Sequence, residues 1–460
     1  MNRITKLALI GLFTLPLAAC DWFDGDDDDD VVVEPDQAAV RVHHAVADAP
    51  NVNVANNDDV VVEDAAYQGV SGYQVLDVGD YSVSVDAILP DNTSTTVIGP
   101  VDVSLAAEMR YDVFAIGSVA DESLEAYTLS YASSTIADDT ANVYIVHAAY
   151  DVPTVDIYVT EPSADLSAAA VTATLSYGED SGLIEVPEGN YQVRITAAGG
   201  SDVLYDSGSL EIDGGEPTVI AATNNVNAGE TPVSLVVSDD DDSMVVYDVN
   251  AGSDVRVVHA AADAPNVDIF VDNAADAAIT DLAFGEASDY LNISADDHLI
   301  DVNQSGGAAV LNDVEVTTEL AAQYSVYAIG SVANDDLGLA VLTEMTRRIA
   351  TQGQLQVVHA SPAAGNVDVY ITSDGNVAGL EPALADIAFD ASDLYSSGNV
   401  AIAAGDYQIV VTEAGTENVL IGPLEVTIEN GGLYTVVAVD ADGGGTPAGV
   451  ILLDDLAPIL

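Results

Sequence analysis

A histidine followed by aspartates recurs four times along the chain at nearly constant spacing. The sets are His44 and Asp48; His147, Asp151 and Asp156; His259, Asp263 and Asp268; and His359 and Asp368. Imidazole nitrogens and carboxylate oxygens are common metal ligands, and the same groups act as acids and bases in catalysis. Each set is therefore a candidate metal or catalytic site, and the elements that carry it decide between these roles and a structural one.

The strand pattern around the motif favours the structural role. Each histidine ends an alternating run, such as V-R-V-H-H at residues 40–44, and shares a strand face with apolar residues of a core. A histidine at such a strand end is expected to hydrogen-bond the backbone of the following turn. The aspartate before Ala-Pro is expected to accept N–H groups of its own turn, whereas Asp156, Asp268 and Asp368 are expected to face solvent. Metal binding and catalysis stay as alternatives, but no metal ligand and no catalytic residue is assigned.

The motifs of common enzyme classes are absent from the sequence. It has no H-E-x-x-H and no G-x-S-x-G, and its only cysteine, Cys20, and only lysine, Lys6, lie near the N-terminus. Glycines 443–445 follow two aspartates and precede a Thr-Pro pair, which predicts a hairpin turn and not a phosphate-binding loop. Acidic pairs occur throughout, so none stands out as a glycosidase pair. We therefore expect that the protein is not an enzyme.

The charge balance limits the possible partners. Seventy-seven Asp and Glu oppose eight Lys and Arg, which gives a net charge of −69, although 49% of the residues are hydrophobic. Such a chain repels nucleic-acid phosphates, so no nucleic acid is expected as a partner. Its apolar fraction is too high for a disordered protein. An Asp-rich surface without lysine stays soluble at high salt, which screens its repulsion. We expect no cofactor, only weak screening of this surface by Ca²⁺ or Mg²⁺.

The first twenty residues have the pattern of an export signal. Two basic residues precede a short apolar stretch, 7–17, which is shorter than the roughly 20 residues of a membrane-spanning helix. The sequence L-A-A-C that ends at Cys20 resembles a bacterial lipoprotein signal. The resemblance implies export, removal of residues 1–19, acylation of Cys20 by fatty acids such as palmitate, and anchoring to a bacterial membrane. The outer membrane or cell surface is favoured, and Asp21 leaves the periplasmic face of the inner membrane as the alternative.

The rest of the chain consists of four copies of one unit. Residues 111–120 (YDVFAIGSVA) recur almost unchanged at 324–333 (YSVYAIGSVA), so copies one and three resemble each other, as do copies two and four. This pattern indicates duplication of a two-domain unit. Alternating runs rich in Val, Ile and Tyr, separated by turns every ~8–12 residues, predict an all-β fold. We expect four tandem immunoglobulin-like antiparallel β-sandwich domains.

The composition also predicts domain boundaries. Asp-rich segments repel themselves and extend, so they are expected to be linkers. The predicted order is a signal peptide at 1–19, a disordered acidic tether at 20–38, β-sandwich repeats at 39–137 and 138–238, an acidic hinge at 239–253, and β-sandwich repeats at 254–349 and 350–460.

The wording of the motif, V-V-H-A followed by A-P-N-V-D, resembles the bacterial domain-of-unknown-function family 4397. The resemblance covers residues 38–460 through its four recurrences. It implies a β-sandwich module of undetermined activity, found in secreted and lipid-anchored proteins. Copy four departs from the motif at Ala363 and Gly365, where the others have Asp and Pro. Copy one has Asn53 in place of the second aspartate.

These observations predict a non-enzymatic, lipid-anchored envelope protein with a structural, adhesive or interaction role at the cell surface or in the periplasm. The expected partners are the membrane, through Cys20, and an envelope or extracellular matrix component. The alternative is a lipoprotein that binds glycans or divalent cations for uptake. Glycan sites favour exposed aromatic side chains, yet the only tryptophan, Trp22, lies in the tether, and Tyr81, Tyr191 and Tyr407 begin a repeated strand, which predicts core positions.

Overall fold

A computed structural model describes residue 33 and residues 35–456, apart from 58, 335 and 391–393. These residues form 34 strands and two single-turn 3₁₀ helices, Leu166–Ala168 and Pro362–Ala364, so the predicted all-β class is confirmed. The predicted signal peptide, the lipidation site Cys20 and most of the tether lie outside the described residues. No helix in the described part of the chain has the length and hydrophobicity of a membrane span.

The strands divide into four similar sets, one for each copy of the motif. Copy one contains β1 (Gln37–His44), β2 (Val52–Asn56), β3 (Asp59–Ala65), β4 (Gln74–Asp77), β5 (Gly79–Ile88), β6 (Ser94–Leu105), β7 (Met109–Ile116) and β8 (Glu125–Ala132). Copy two contains β9 (Thr140–His147), β10 (Val155–Thr160), β11 (Ala173–Leu175), β12 (Ile184–Pro187), β13 (Gly189–Ala197), β14 (Val203–Asp206), β15 (Leu210–Ile212), β16 (Pro217–Asn224), β17 (Val233–Ser238) and β18 (Ser243–Val246).

Copies three and four repeat the pattern of copy one. Copy three contains β19 (Ser253–His259), β20 (Val267–Val271), β21 (Ile279–Leu282), β22 (Leu291–Ile293), β23 (Asp297–Gln304), β24 (Ala309–Thr317), β25 (Gln323–Ile329) and β26 (Gly338–Thr343). Copy four contains β27 (Gly353–Ala360), β28 (Val367–Thr372), β29 (Leu384–Ile387), β30 (Val400–Ile402), β31 (Gly405–Glu413), β32 (Val419–Ile428), β33 (Leu433–Val439) and β34 (Gly449–Asp454).

Each copy is built from two sheets, which we call inner and outer. The inner sheets have the strand orders β4-β1-β7-β8, β12-β9-β16-β17-β18, β22-β19-β25-β26 and β30-β27-β33-β34. The outer sheets have the orders β3-β2-β5-β6, β11-β10-β13-β14 with β15 also on β13, β21-β20-β23-β24 and β29-β28-β31-β32. The first strand of every copy pairs in parallel with the central return strand, as β1 does with β7. The antiparallel sandwiches therefore each contain one parallel pair, because the chain visits the outer sheet before it returns.

Successive side chains of an inner strand pack into two different cores, one on each face of the inner sheet. In β9, Val143 and Ile145 pack in the core between the two sheets of copy two. The intervening Tyr144 and Val146 pack instead against copy one. A strand that is covered on both faces is expected to have a continuous apolar run, and this segment has the sequence V-Y-I-V.

The inner sheets of neighbouring copies pack face to face. One shared core joins Ala45, Phe114, Ile116, Leu129 and Tyr131 of copy one to Tyr144, Val146, Ala148, Val219, Ala221 and Val236 of copy two. A second joins Val258, Ala260, Tyr327 and Ile329 of copy three to Val358, Ala360, Leu394, Val437, Val439, Ile451 and Leu453 of copy four. The copies that are paired in space are thus one with two and three with four, which corresponds to the two-domain unit inferred from the sequence.

The segment predicted to be an acidic hinge instead completes the inner sheet of copy two. Strand β18 pairs antiparallel with β17, and residues 239–242 form the turn between them. The Asp239 carboxylate accepts the backbone N–H groups of Asp241 and Asp242 at 3.0 and 2.7 Å. These hydrogen bonds close the turn, so the acidic run forms a hairpin where the sequence suggested a linker.

The two pairs also contact each other. The linker after β26 crosses to copy one, where Arg347 donates to the Ala49 carbonyl at 2.8 Å and lies over the Tyr67 ring at 5.5 Å. The Ala228 N–H of copy two donates to the Ala321 carbonyl of copy three at 3.0 Å. The second linker arginine, Arg348, forms an ion pair with Asp455.

Candidate functional site

The four motif histidines make the same hydrogen bond in every copy. Each Nε2–H donates to the backbone carbonyl six residues later. The acceptors are Pro50 for His44 at 3.1 Å, Pro153 for His147 at 3.3 Å, Pro265 for His259 at 3.1 Å and Gly365 for His359 at 2.8 Å. All four side chains are buried, at 2% exposure or less. The bond fixes the turn after the first strand, and it persists in copy four because a backbone acceptor does not require the missing proline.

Burial disfavours the charged form of these histidines. It lowers the pKa of His147, His259 and His359, and it lowers the pKa of His44 to about 4. With the proton on Nε2, only Nδ1 is left as a potential ligand. In the described part of the chain, no three His, Cys, Asp or Glu side chains are grouped closely enough to hold a metal ion.

The aspartate before Ala-Pro contacts a distant loop in copies one and three. The Asp48 carboxylate accepts three hydrogen bonds. The donors are the Ser118 hydroxyl at 2.8 Å and the backbone N–H groups of Val119 and Ala120, both at 2.9 Å. Asp263 makes the same three bonds to Ser331, Val332 and Ala333, at 2.8, 2.8 and 2.9 Å. The expectation that these aspartates cap their own turn is therefore wrong. Their partners form the G-S-V-A loop that only these two copies share.

Copies two and four connect the same two loops with other residues. In copy two, Asp151 is exposed and the Asn224 side chain binds the Tyr150 backbone instead, accepting its N–H at 2.9 Å and donating to its carbonyl at 2.7 Å. In copy four the polarity is reversed, because Asp440 of the return loop accepts Ser361 Oγ and the N–H of Ala363. The loop contact is thus present in all four copies, but its chemistry is not.

The second aspartate of the motif is not directed into solvent, as the strand parity suggested. Asp156 and Asp368 are 6% and 5% exposed, and Asp268 is partly buried. Each carboxylate accepts an N–H from the adjacent hairpin of the outer sheet. The donors are Gly199 at 2.7 Å, Gly306 at 3.2 Å and Gly415 at 2.8 Å, in copies two, three and four respectively. The prediction failed because parity distinguishes the two faces of a strand but does not show that a turn folds over the outer one.

Copy one retains part of this contact without a carboxylate. The Asn53 side-chain oxygen accepts the Asp64 N–H at 2.9 Å. In copy three, Asp268 accepts the equivalent Asp281 N–H at 2.8 Å. An amide oxygen therefore serves in place of the carboxylate at this strand contact.

The repeated strand-start tyrosines are half-buried and anchor their own turns. The hydroxyls of Tyr81, Tyr191 and Tyr407 donate to the carbonyl four residues earlier, at 2.7, 2.8 and 3.0 Å. Copy three has His298 at this position. Its Nε2 donates to the equivalent carbonyl, of Ser294, at 2.8 Å, and its Nδ1 lies 2.8 Å from the Asp272 carboxylate.

A buried polar cluster on the inner sheet of copy one was not predicted from the sequence. We call it the copy-one clasp, and it consists of Arg41, His43, Tyr73, Asp112 and Tyr131. The Asp112 carboxylate accepts Arg41 Nε at 2.6 Å, His43 Nε2 at 2.7 Å, and the hydroxyls of Tyr73 and Tyr131 at 2.9 and 3.0 Å. Burial alone would raise the pKa of Asp112, but Arg41 and His43 hold it well below its usual range.

The copy-one clasp and the neighbouring Arg110 reach into copy two. Arg41 donates to the Asp239 carbonyl, and Arg110 forms a two-pronged ion pair with the Asp240 carboxylate. Both guanidinium groups lie over the Tyr73 ring, at 4.3 and 5.0 Å. The hairpin that was expected to be a hinge therefore contacts copy one directly, in addition to the shared apolar core.

Copy three has an equivalent cluster, the copy-three clasp: Arg256, Tyr290, Ser325, Tyr327, Glu344 and Asp454. Arg256 donates from Nε to Ser325 Oγ at 2.6 Å and from Nη1 to Asp454 at 2.7 Å. Asp454 belongs to the last strand of copy four. A sequence signal for both clasps did exist, because Arg41 and Arg256 occupy the same V-R-V position in a chain with only eight basic residues.

The family to which the chain belongs is the domain of unknown function DUF4397. The family profile matches residues 38–158, 141–248 and 253–370, so the resemblance inferred from the motif is confirmed. Residues beyond 370 complete a fourth unit with the same pair of sheets. No curated protein matches the sequence.

Three solved structures are distantly similar to this chain. A family 26 carbohydrate-binding module from Eubacterium rectale, solved with maltoheptaose, is 13% identical, with 45% of this chain and 98% of that chain covered and a TM-score of 0.16. The Bacillus anthracis TIE protein is 11% identical, with coverages of 84% and 65% and a TM-score of 0.14. The major pilin subunit of Bacillus cereus is 10% identical, with coverages of 88% and 99% and a TM-score of 0.13. Scores this low support no functional argument.

Proposed function

We propose that this member of the family is a non-enzymatic, lipid-anchored envelope protein with a structural, adhesive or interaction role. The observation that carries the proposal is the face-to-face packing of the inner sheets through shared cores and buried arginine clasps. The recurrent His and Asp side chains support this proposal, because they form hydrogen bonds with turns and loops of their own copy. The chemistry of the motif therefore serves to build a scaffold.

The anchor is proposed from the sequence. Cys20, acylated as the lipoprotein-like signal implies, would hold the body to a bacterial membrane through the Asp-rich tether. Each buried methylene contributes about 0.8 kcal/mol to membrane binding, so more than one acyl chain makes the attachment stable. The outer membrane or cell surface is the favoured location, and the periplasmic face of the inner membrane is the alternative because of Asp21.

A Cys20→Ser substitution in the full chain tests the anchor. The wild-type protein is expected in the membrane fraction and in the detergent phase, and the variant in neither, because it cannot be acylated. Conversion of the equally N-terminal Asp21 to Asn is the matched control and should leave detergent partitioning unchanged. A Cys20→Ser protein that still enters the detergent phase would contradict acylation.

The role of the four β-sandwich copies is tested with the soluble fragment from residue 38 onward. We expect it to bind an envelope or extracellular matrix component, and a panel of such proteins measured beside a glycan array would show this. Selective binding to a glycan would instead establish the alternative function in uptake. For cations, melting curves with Ca²⁺ or Mg²⁺ are compared with NaCl of equal ionic strength. Weak screening predicts equal shifts, whereas an extra shift with the divalent ion would reveal a specific site.

A further inference from the structure

The copy-three clasp contains more acidic groups than its cation can satisfy. Arg256 is bonded to Asp454 at 2.7 Å, and its Nη2 lies 3.8 Å from Glu344 Oε1. The Glu344 side chain is 6% exposed; Ser325 hydrogen-bonds its carboxyl group, but Oε1 accepts no hydrogen bond. One guanidinium thus faces two carboxylates at a buried contact between copies three and four.

The other groups packed around Glu344 supply no second cation. Tyr290 precedes β22, Tyr327 lies on β25, and Asp454 is on β34 of the neighbouring copy; with Arg256 on β19 these are the titratable groups that act on Glu344 or share its cluster. The hydroxyls of Tyr290 and Tyr327 are also buried, beside Gln323 and Ser325 respectively. Arg256 is therefore the one cation among the groups that act on Glu344, and Asp454 adds a second negative charge.

The energetics favour the neutral form. A buried charge that is incompletely paired is costly, and the guanidinium that lies 3.8 Å from Glu344 is already bonded to Asp454. Burial raises the pKa of Glu344, which also favours the neutral form. In the copy-one clasp the buried carboxylate is fully paired. Asp112 accepts hydrogen bonds from Arg41 and three further donors, so it stays ionised.

We propose that Glu344 holds a proton in the folded chain and acts as a proton-operated latch between copies three and four. At low pH the neutral side chain allows the two inner sheets to stay closed. As the pH rises, the unfolded or separated state releases this proton more readily than the closed state. The contact between copies three and four therefore weakens with rising pH, while the contact between copies one and two does not weaken through this group.

Hydrogen exchange of the full chain, compared between variants at the same pH, tests the latch. Glu344→Gln imitates the protonated side chain. At pH 8 we expect it to slow exchange in β19, β25, β27 and β33 by tenfold or more relative to wild type. At pH 5 the two proteins should exchange alike, and β1, β7, β9 and β16 should be unaffected at both pH values. The exposed Glu315→Gln variant has the same charge change and should show no such effect.

Two outcomes would overturn the latch. One is equal protection of wild type and Glu344→Gln at pH 8, and the other is a loss of protection in the variant at both pH values, as a purely structural role predicts. If the variant fails to fold, the wild-type chain still gives an answer by infrared spectroscopy. A protonated carboxyl band must persist in the folded protein above the usual titration range of glutamate, and its absence would refute the proposal.

Discussion

The two clasps place an arginine at the same position but balance it differently. In copy one the anion, Asp112, lies on the neighbouring parallel strand of the same sheet and is surrounded by donors. In copy three that position is Ser325, and the anion bonded to Arg256 is Asp454 of the facing copy. The comparison shows that duplication preserved the buried cation while its counter-charge moved. The pairing of copies one and two should therefore depend on the Arg41–Asp112 ion pair within copy one together with the Arg110–Asp240 ion pair across the interface. The pairing of copies three and four should depend on the Arg256–Asp454 ion pair across the interface.

The largest expected effect is at Asp112. Asp112→Asn keeps the shape of the side chain but leaves the buried Arg41 without its counter-charge. Breaking one partner of a buried ion pair costs about 3–5 kcal/mol, so the free energy of unfolding measured with urea should fall by about that amount. The exposed Asp102→Asn variant in the same copy is the control and should change it by less than about 0.5 kcal/mol. A loss at Asp112 no larger than at Asp102 would mean that the copy-one clasp does not hold the pair together.

A smaller loss of stability is expected when the loop contact of copy one is weakened, and none when the equivalent residue of copy two is changed. Asp48→Asn weakens a carboxylate that accepts three hydrogen bonds, and bonds to a charged group contribute about 1.5–3 kcal/mol. We expect a loss of stability of about 1–3 kcal/mol, measured by urea unfolding. The equivalent Asp151→Asn in copy two should be nearly neutral, because Asp151 is exposed and Asn224 makes the contact there. Equal losses at both positions would contradict the difference between the copies.

The smallest expected effect is a pH dependence of stability that arises from His298 and is specific to copy three. Both ring nitrogens of His298 face acceptors, and although burial opposes it, the hydrogen bonds to Ser294 and Asp272 raise the pKa of His298. This stabilisation is complete below pH ~6.5 and is lost as the pH rises through the higher folded-state value. Because Asp272 is exposed, it should amount to about 0.5–1 kcal/mol.

His298→Tyr restores the residue that the other copies have and should remove this part of the pH dependence. Thermal unfolding between pH 5 and 9 measures it, with Tyr191→Phe in copy two as a variant whose effect should not vary over that range. An unchanged pH profile in His298→Tyr would show that the imidazole is not the titrating group. The same substitution separates this dependence from that of Glu344, which it should leave intact.

The sequence was a good guide to local structure and a poor one to distant contacts. Period-two alternation and the recurring motif suffice for the sandwich class, the four copies and the bond from each histidine to its turn, because these depend on neighbours within about ten residues. The partner of Asp48 lies 70 residues away, and no local pattern identifies it. The correlated presence of G-S-V-A in copies one and three was the available clue.

The packing between copies could not be predicted from the sequence for a different reason. Val143 and Ile145 face one core, and Tyr144 and Val146 face another, so the strand is apolar throughout and alternation disappears. Such a run shows that both faces are covered, but it does not show what covers the second face. The charged residues on that face, Arg41 and Asp112, lie 71 positions apart and become a pair only when β1 and β7 align.

Because neighbouring copies share a core, we expect the folding unit to be the pair of copies and not the single sandwich. The most direct test compares the fragment 35–253, which contains copies one and two, with the fragment 35–137, which contains copy one alone. Circular dichroism and analytical ultracentrifugation should show that 35–253 is a monomer with one cooperative melting transition. The fragment 35–137, with its inner sheet uncovered, should unfold at a much lower temperature or self-associate. A monomeric 35–137 that melts at the same temperature as the pair would contradict the claim.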